Sequence, residues 1–218
     1  MELPFSIEQF YDVFRAYNTA VWPTQVILLA LALIAVSLVF VRQRWSEVVI
    51  SAILALLWLW LGLAYHFAFF ATINPLAYGF AALSVAGGLV FVWQGVIHRR
   101  LEFKWHPGGR SYAGLALIVF ALAVYPAWSV YAGHSYPALP TFGLPCPTTI
   151  FTIGLMAFLV APYPRGPLVV PVLWCLIGGQ AVFLLGVPPD SGLFAAAAMG
   201  IVLLWRSKAV RNQAIPLR

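Results

Sequence analysis

The sequence predicts an all-α integral membrane protein, and three observations carry that prediction. Seven long apolar runs lie at about 21–41, 48–70, 76–97, 112–132, 148–163, 167–187 and 190–205. Each approaches the roughly 20 residues a helix needs to cross the hydrocarbon core of a bilayer. Eleven of the twelve Lys and Arg residues fall after runs one, three, five and seven, leaving only Arg15 outside that set. The gaps at 71–75, 133–147 and 187–191 contain neither residue type. Finally, 63% of residues are apolar and 8% charged, a balance far from that of soluble domains. A soluble fold would have to house helices that are apolar all round.

The basic residues fix the expected orientation. Arg42 and Arg44 follow run one. Arg99, Arg100, Lys104 and Arg110 follow run three, Arg165 follows run five, and Arg206, Lys208, Arg211 and Arg218 follow run seven. Retention of basic loops in the cytoplasm gives seven transmembrane helices, with the N-terminus outside and the C-terminus inside. The net charge of +6 therefore reflects topology and attraction to anionic lipid rather than nucleic-acid binding. Cys146 is expected near the outer surface and Cys175 within a span, which argues against a bridge between them.

The whole chain, 1–218, reads as a single membrane domain. Its start carries Glu2, Glu8 and Asp12 without a basic leader segment, so no cleavable signal is expected. Residues 6–17 form the first element. Ser6 with Gln9 makes a capping box, and Ile7, Phe10, Tyr11, Phe14 and Tyr17 follow helical spacing. Such a helix would lie in the outer interface, as an anchor or as a lid over an external site.

The remaining elements suggest a duplication. Trp22-Pro23-Thr24-Gln25 opens run one as Cys146-Pro147-Thr148-Thr149 opens run five. Leu57-Trp58 with Gly62 matches Leu173-Trp174 with Gly178 at the same interval. Asn74-Pro75 with Gly79 and closing Trp93 parallels Pro189-Asp190 with Gly192 and closing Trp205. These matches fall in chain order and imply a 3+1+3 plan: helices one to three over 21–97, linker helix four over 112–132, and helices five to seven over 146–205.

That plan resembles the sugar-transporting SWEET proteins and the wider PQ-loop group in architecture. The adjacent Pro-Gln pair that names the group is missing, because Thr24 separates Pro23 from Gln25. A retinal protein is disfavoured, since run seven holds no Lys in its middle. A closer likeness is carried by Phe14-x-x-Tyr17-Asn18-x-x-x-Trp22-Pro23-x-Gln25, Ile73-Asn74-Pro75, Pro145-Cys146-Pro147 with Thr149-Ile150-Phe151-Thr152, and Ile177-Gly178-Gly179 through Pro189-Asp190. These strings resemble an uncharacterised bacterial membrane family. The resemblance spans nearly the whole chain and implies a bacterial inner-membrane protein of about this length, without implying an activity; in such a membrane the basic-loop rule puts the N-terminus on the periplasmic side.

The chemistry has to be read from the polar residues. No Asp, Glu, Lys or Arg falls deep inside a run, which argues against a proton pump. The absence of Gly-x-Ser-x-Gly and of any acid–base pair argues against an enzyme. The polar residues gather instead at the predicted outer ends. There Gln180, Asn74, Tyr17 and Asn18 can hydrogen-bond a solute while Trp58 and Tyr65 pack on it, the usual mixture of a binding pocket. The expected function is a facilitator or binding protein for a small, uncharged or weakly polar solute, with no cofactor. The rival reading is a metal or haem site using His66, His134 and Cys146. The expected partners are the lipid bilayer and the solute, with self-association into a homo-oligomer left open. Gly87-Gly88, Gly178-Gly179, Pro126 and Pro171 fit close helix approach and kinks.

Overall fold

A computed structural model describes residues 4–41 and 43–209. Arg42, Arg211 and Arg218 of the basic set, and the side chain of Lys208, lie outside what is described. The fold is all-helical, and among the described residues the only extended pairing is two isolated bridges, Phe103 with Leu159 and Phe142 with Leu144.

The first helix, α1 (Ile7–Ala20), starts as its sequence dictates. Ser6 accepts from the backbone of Gln9, and the Gln9 side chain accepts from the Ser6 N–H. Its inner face buries Phe10, Tyr11, Val13, Phe14, Tyr17 and Asn18, whereas Ile7 is exposed. The chain then turns by 85° into α2 (Thr24–Phe40). The next helix is α3 (Ser46–Trp60), which continues through a wider π-helical segment, Leu61–Phe67. After it come α4 (Ala77–Phe91), α5 (Gly109–Val119) and α6 (Tyr125–Tyr131). The α5 and α6 helices are joined by π turns at Phe120–Val124. Pro126 explains that widening, because proline lacks an N–H and its ring clashes with the preceding turn of a regular helix. The chain closes with α7 (Pro145–Met156), α8 (Gly166–Gly178), the short α9 (Ala181–Leu184) and α10 (Gly192–Ala209).

Five helical stretches are long and apolar enough to cross a membrane: Ser46–Thr72, Ala77–Ile97, Gly109–Tyr131, Gly166–Leu184 and Pro188–Ser207. A sixth arises if α1 and α2 are taken as one bent span. The fifth predicted run, 148–163, behaves differently. It forms only the 12-residue α7, about 18 Å long at 1.5 Å per residue. Every α7 residue except Cys146 is buried. This helix is enclosed by α5, α8 and α10, so its apolarity serves protein packing. The residues after it, Phe158–Val160, bond to the 102–104 backbone through Lys104 N–H to Phe158 O at 2.9 Å and Val160 N–H to Glu102 O at 2.8 Å.

The outer faces are apolar. Ile27, Leu33 and Ile34 on α2, and Leu89 on α4, are each about half exposed or more. Exposed aromatics sit at both ends of the helices. Trp22, Tyr78 and Tyr131 mark one end, and Trp45, Trp93, Tyr112 and Trp205 mark the other. Two aromatic girdles around an apolar band match the pattern of helices in a bilayer. The described basic residues Arg99, Arg100, Lys104, Arg110, Arg165 and Arg206 cluster at the second end.

Glycine allows the tightest contact in the core. A Cβ added to Gly114 of α5 would fall 2.6 Å from Ala157 Cβ and 2.7 Å from the Gly154 carbonyl of α7. Close backbone approach of this kind is how small residues join apolar helices. Gly114→Leu is expected to destabilise the protein by about 3 kcal/mol, the upper range for overpacking. Gly79→Leu, at a site with no atom within 4 Å, should fall within about 0.5 kcal/mol of wild type. Unfolding titrations in mixed micelles read both, and equal effects would contradict the packing assigned to α5 and α7.

Candidate functional site

At the end opposite the basic loops, the helix termini leave a cavity of about 250 Å³. Its roof is α1, which contributes Phe10 and Phe14. Its walls come from the π segment after α3 (Tyr65, His66), from Phe70, Asn74 and Phe80, from Tyr125 of α6, and from the start of α7 with Cys146. The far end of α8 adds Trp174, Gly178 and Gln180, and Asp190 comes from the turn that leads into α10.

The lining is mainly aromatic, in mutually edge-on and stacked pairs. Phe10 and Phe14 lie 4.6 Å apart, Tyr65 stacks on Phe70 at 5.8 Å, and Phe80 meets Trp174 edge-on at 5.3 Å. Into this surface project a few polar groups. His66 is fully buried and neither ring nitrogen has a hydrogen-bond partner. The Trp174 ring lies 4.8 Å from His66, and its indole N–H has the Cys146 thiol beside it but no full hydrogen bond. Asp190, 2% exposed, accepts from the Tyr125 hydroxyl at 2.5 Å, and the Cys146 thiol lies beside the same carboxyl. Gly178 gives the Trp174 edge its room, since a Cβ there would fall 3.0 Å from the indole nitrogen.

An unpartnered buried polar group costs roughly 1–3 kcal/mol relative to a bonded one, so His66 and Trp174 mark where the fold leaves bonds to be made. The carboxyl is held without a cation: no Lys or Arg lines the cavity, and among the described residues Asp190 forms no ion pair.

Of the residues expected from the sequence, Gln180, Asn74 and Tyr65 line this cavity. The other three do not. Asn18, fully buried, is a structural hub. Its Nδ2 donates to Pro137 O and Leu139 O at 2.7 Å each, and its Oδ1 accepts from Thr141 at 2.7 Å. Its carbonyl accepts from Gln25 at 2.8 Å and Tyr136 at 3.1 Å. The amide thus ties α1 to the 137–141 loop that helps close the cavity. Tyr17 lies behind Tyr65, its hydroxyl accepting from Trp60 at 2.6 Å and donating to Gly143 O at 3.4 Å. Gly143 takes a φ of +101°, a conformation that suits glycine. Trp58 is a core residue, donating to Thr152 at 3.2 Å.

The rival metal or haem set is not brought together. His66 and Cys146 share the cavity, but His134 lies outside it, stacked on Tyr11 with ring centroids 3.9 Å apart. Burial, with the Arg15 charge nearby, holds the His134 ring below its usual pKa, so it is neutral at pH 7 and stacks as a neutral ring. Among the described residues no group of three or more His, Cys, Asp and Glu side chains could hold a metal ion. The Asp190–Tyr125 pair and Trp174 were not among the expected site residues. The one signal available for them was the position of Tyr125 beside Pro126, and of Asp190 after two prolines, at the ends of apolar runs.

The model of a family of unknown function, DUF6064, matches residues 7–214. The chain belongs to that family. No curated protein and no solved structure is similar enough to match the chain. The matched span includes every cavity residue.

Asn18→Ala removes three short side-chain hydrogen bonds and is expected to cost about 2–3 kcal/mol at roughly 1 kcal/mol each. Gln180→Leu, at an exposed residue whose one internal bond is 3.4 Å long, should change stability by less than about 0.5 kcal/mol. Unfolding in mixed micelles separates a hub from a lining residue. Comparable losses at both positions would refute the distinction.

Proposed function

We propose that this chain is a polytopic membrane protein that binds a small solute in the cavity under α1, and facilitates its entry into or passage across the bilayer. The reading rests on one observation: a largely aromatic cavity holding a fully buried His66 with both ring nitrogens unpartnered. A neutral imidazole offers one donor and one acceptor. A solute that supplies the complementary pair regains bonds the fold leaves unmade. Apolar walls with a few fixed polar groups are the usual make-up of a small-molecule site.

The surroundings support a route from one face only. All cavity residues lie at the helix ends remote from Arg99, Arg100, Lys104, Arg110, Arg165 and Arg206. With basic loops retained in the cytoplasm, the cavity faces outward, in a bacterial inner membrane the periplasm, and α1 lies across its mouth as a lid. The duplication also finds support. Gly62 lets α3 approach Ala81 and Val85 of α4, as Gly178 lets α8 approach Leu193 of α10. These equivalent close contacts in two three-helix groups fit hinged movement of one against the other. The proposed partners remain lipid and solute.

Two measurements test this reading. In proteoliposomes, entry of small amphiphilic solutes such as benzyl alcohol, choline and glycerol should exceed that of protein-free vesicles for at least one of them, and His66→Leu should lower that rate at least fivefold. Rates matching protein-free vesicles for all of them, or indifferent to His66→Leu, would refute facilitated passage. Elemental analysis and an optical spectrum of the purified protein serve the rival reading, because stoichiometric metal or a haem band lost in His66→Ala would replace the solute with a cofactor.

Orientation has its own test. Gly108 is exposed, with no atom within 4 Å of an added Cβ. A cysteine there should be labelled by an impermeant maleimide only after the cells are opened. Labelling in intact cells would invert the topology.

A further inference from the structure

Resting on the solute-binding reading above, we propose that the ligand is a small organic cation, an alkyl- or arylalkyl-ammonium whose charged head meets Asp190 and whose body lies among the aromatic rings. The first ground is the carboxyl itself. Asp190 is 2% exposed, lines the cavity, and is held in place by the Tyr125 hydroxyl at 2.5 Å. A hydroxyl partner orients the carboxyl without bringing a counter-charge, and neither Lys nor Arg stands on the cavity wall. A buried charge is stabilised by pairing, so the site selects a ligand that brings the positive charge.

The second ground is the aromatic enclosure. Phe10, Phe14, Tyr65, Phe70, Phe80 and Trp174 surround the same space, and ring faces attract ammonium groups through their quadrupoles. That recognition favours weakly hydrated organic cations. An inorganic ion would need several oxygen ligands to replace its water shell, and the wall supplies too few. An anion would meet the carboxyl with no basic residue to offset it. A cavity of about 250 Å³ is far larger than the roughly 30 Å³ share of one water, so a body with several carbon atoms fits.

The expectation of an uncharged solute came from the lack of acidic residues deep within the apolar runs. Asp190 sits at the end of a run, yet the turn that carries it packs against α6, α9 and α10 and is buried all the same. Its neighbours fit the role. Neutral His66 can accept from an ammonium N–H, and Asn74 and Gln180 add carbonyl oxygens. The Cys146 thiol beside the carboxyl is a weak donor and carries no charge against a cation.

The test uses the full-length protein in lipid nanodiscs, with binding followed by isothermal titration calorimetry. Benzylammonium and benzyl alcohol serve as charged and neutral probes of nearly equal shape. Wild type is expected to bind benzylammonium at least tenfold more tightly than benzyl alcohol. Asp190→Asn should erase that preference while keeping benzyl alcohol binding, and Asp190→Glu should retain part of it. Equal affinity for the two probes in wild type would overturn the cation assignment and leave solute binding standing. So would a preference that survives in Asp190→Asn. If neither probe binds wild type, both the cation assignment and the solute reading fall. The wild-type comparison decides the matter even if the Asn variant does not fold.

Discussion

The fold depends on a helix that no lipid can reach. At 12 residues α7 is too short to span a bilayer alone, and α5, α8 and α10 enclose it. Away from water every backbone polar group has to be bonded internally, and α7 meets this by starting on Pro145 and Pro147, whose missing N–H groups fall where a first helical turn has no partner anyway. Its threonines turn inward. Thr152 accepts from Trp58 and bonds back to Thr148 O, while Thr148 accepts from the Gly143 N–H. The Gly114–Gly154 contact then draws α5 against it. Once this axis is set, the surrounding helices are fixed in register, and their ends at the α1 side cannot all meet.

That mismatch produces the cavity. A short central helix cannot fill the space between longer neighbours at both ends. At the basic end the gap is closed by the 102–104 backbone pairing with 158–160. At the other end the 133–144 loop and α1 cover it. Asn18 holds that cover by binding three separate carbonyl or hydroxyl groups of the loop, and Tyr17 and Trp60 brace it from behind. The residues that hold the cover, Tyr17 and Asn18, thus lie within one helical turn of Phe14, which lines the cavity.

Much of this was legible in the sequence, for identifiable reasons. Lys and Arg punctuation reports which ends share a side, and the described basic residues other than Arg15 do lie at the helix ends away from α1. The Ser6–Gln9 box reports a helix start because its two hydrogen bonds are local. The enclosed nature of α7 was not legible. Apolar residues at 148–163 satisfy lipid and protein surroundings equally, so hydropathy alone cannot tell a buried helix from a spanning one. The site divides in the same way. Gln180, Asn74 and Tyr65, polar or aromatic at the ends of the runs, do line the cavity. Asn18 has the same signature, and only the loop 120 residues away in sequence decides that its amide is occupied. His66 reads as an interfacial histidine until Trp174 and Phe80, from two other helices, close over it.

Asp190 is the hardest residue to read. In sequence, Pro188-Pro189-Asp190-Ser191-Gly192 is an ordinary helix start, and a carboxylate there is favoured by the partial positive charge at the first turn of α10. The structure adds the Tyr125 bond, which ties α6 to that same turn. Both facts make Asp190 a good structural residue. They also explain how an acidic group can stand on an aromatic wall. The Tyr125 hydroxyl and the Cys146 thiol give the carboxyl polar neighbours, but neither brings a positive charge to it. A residue that served structure alone would gain by facing a basic side chain or by being replaced with an amide. Instead the described basic residues Arg99, Arg100, Lys104, Arg110, Arg165 and Arg206 lie at the opposite end, and none lines the cavity. The same partition of charge leaves the cavity with an acidic group and no basic one.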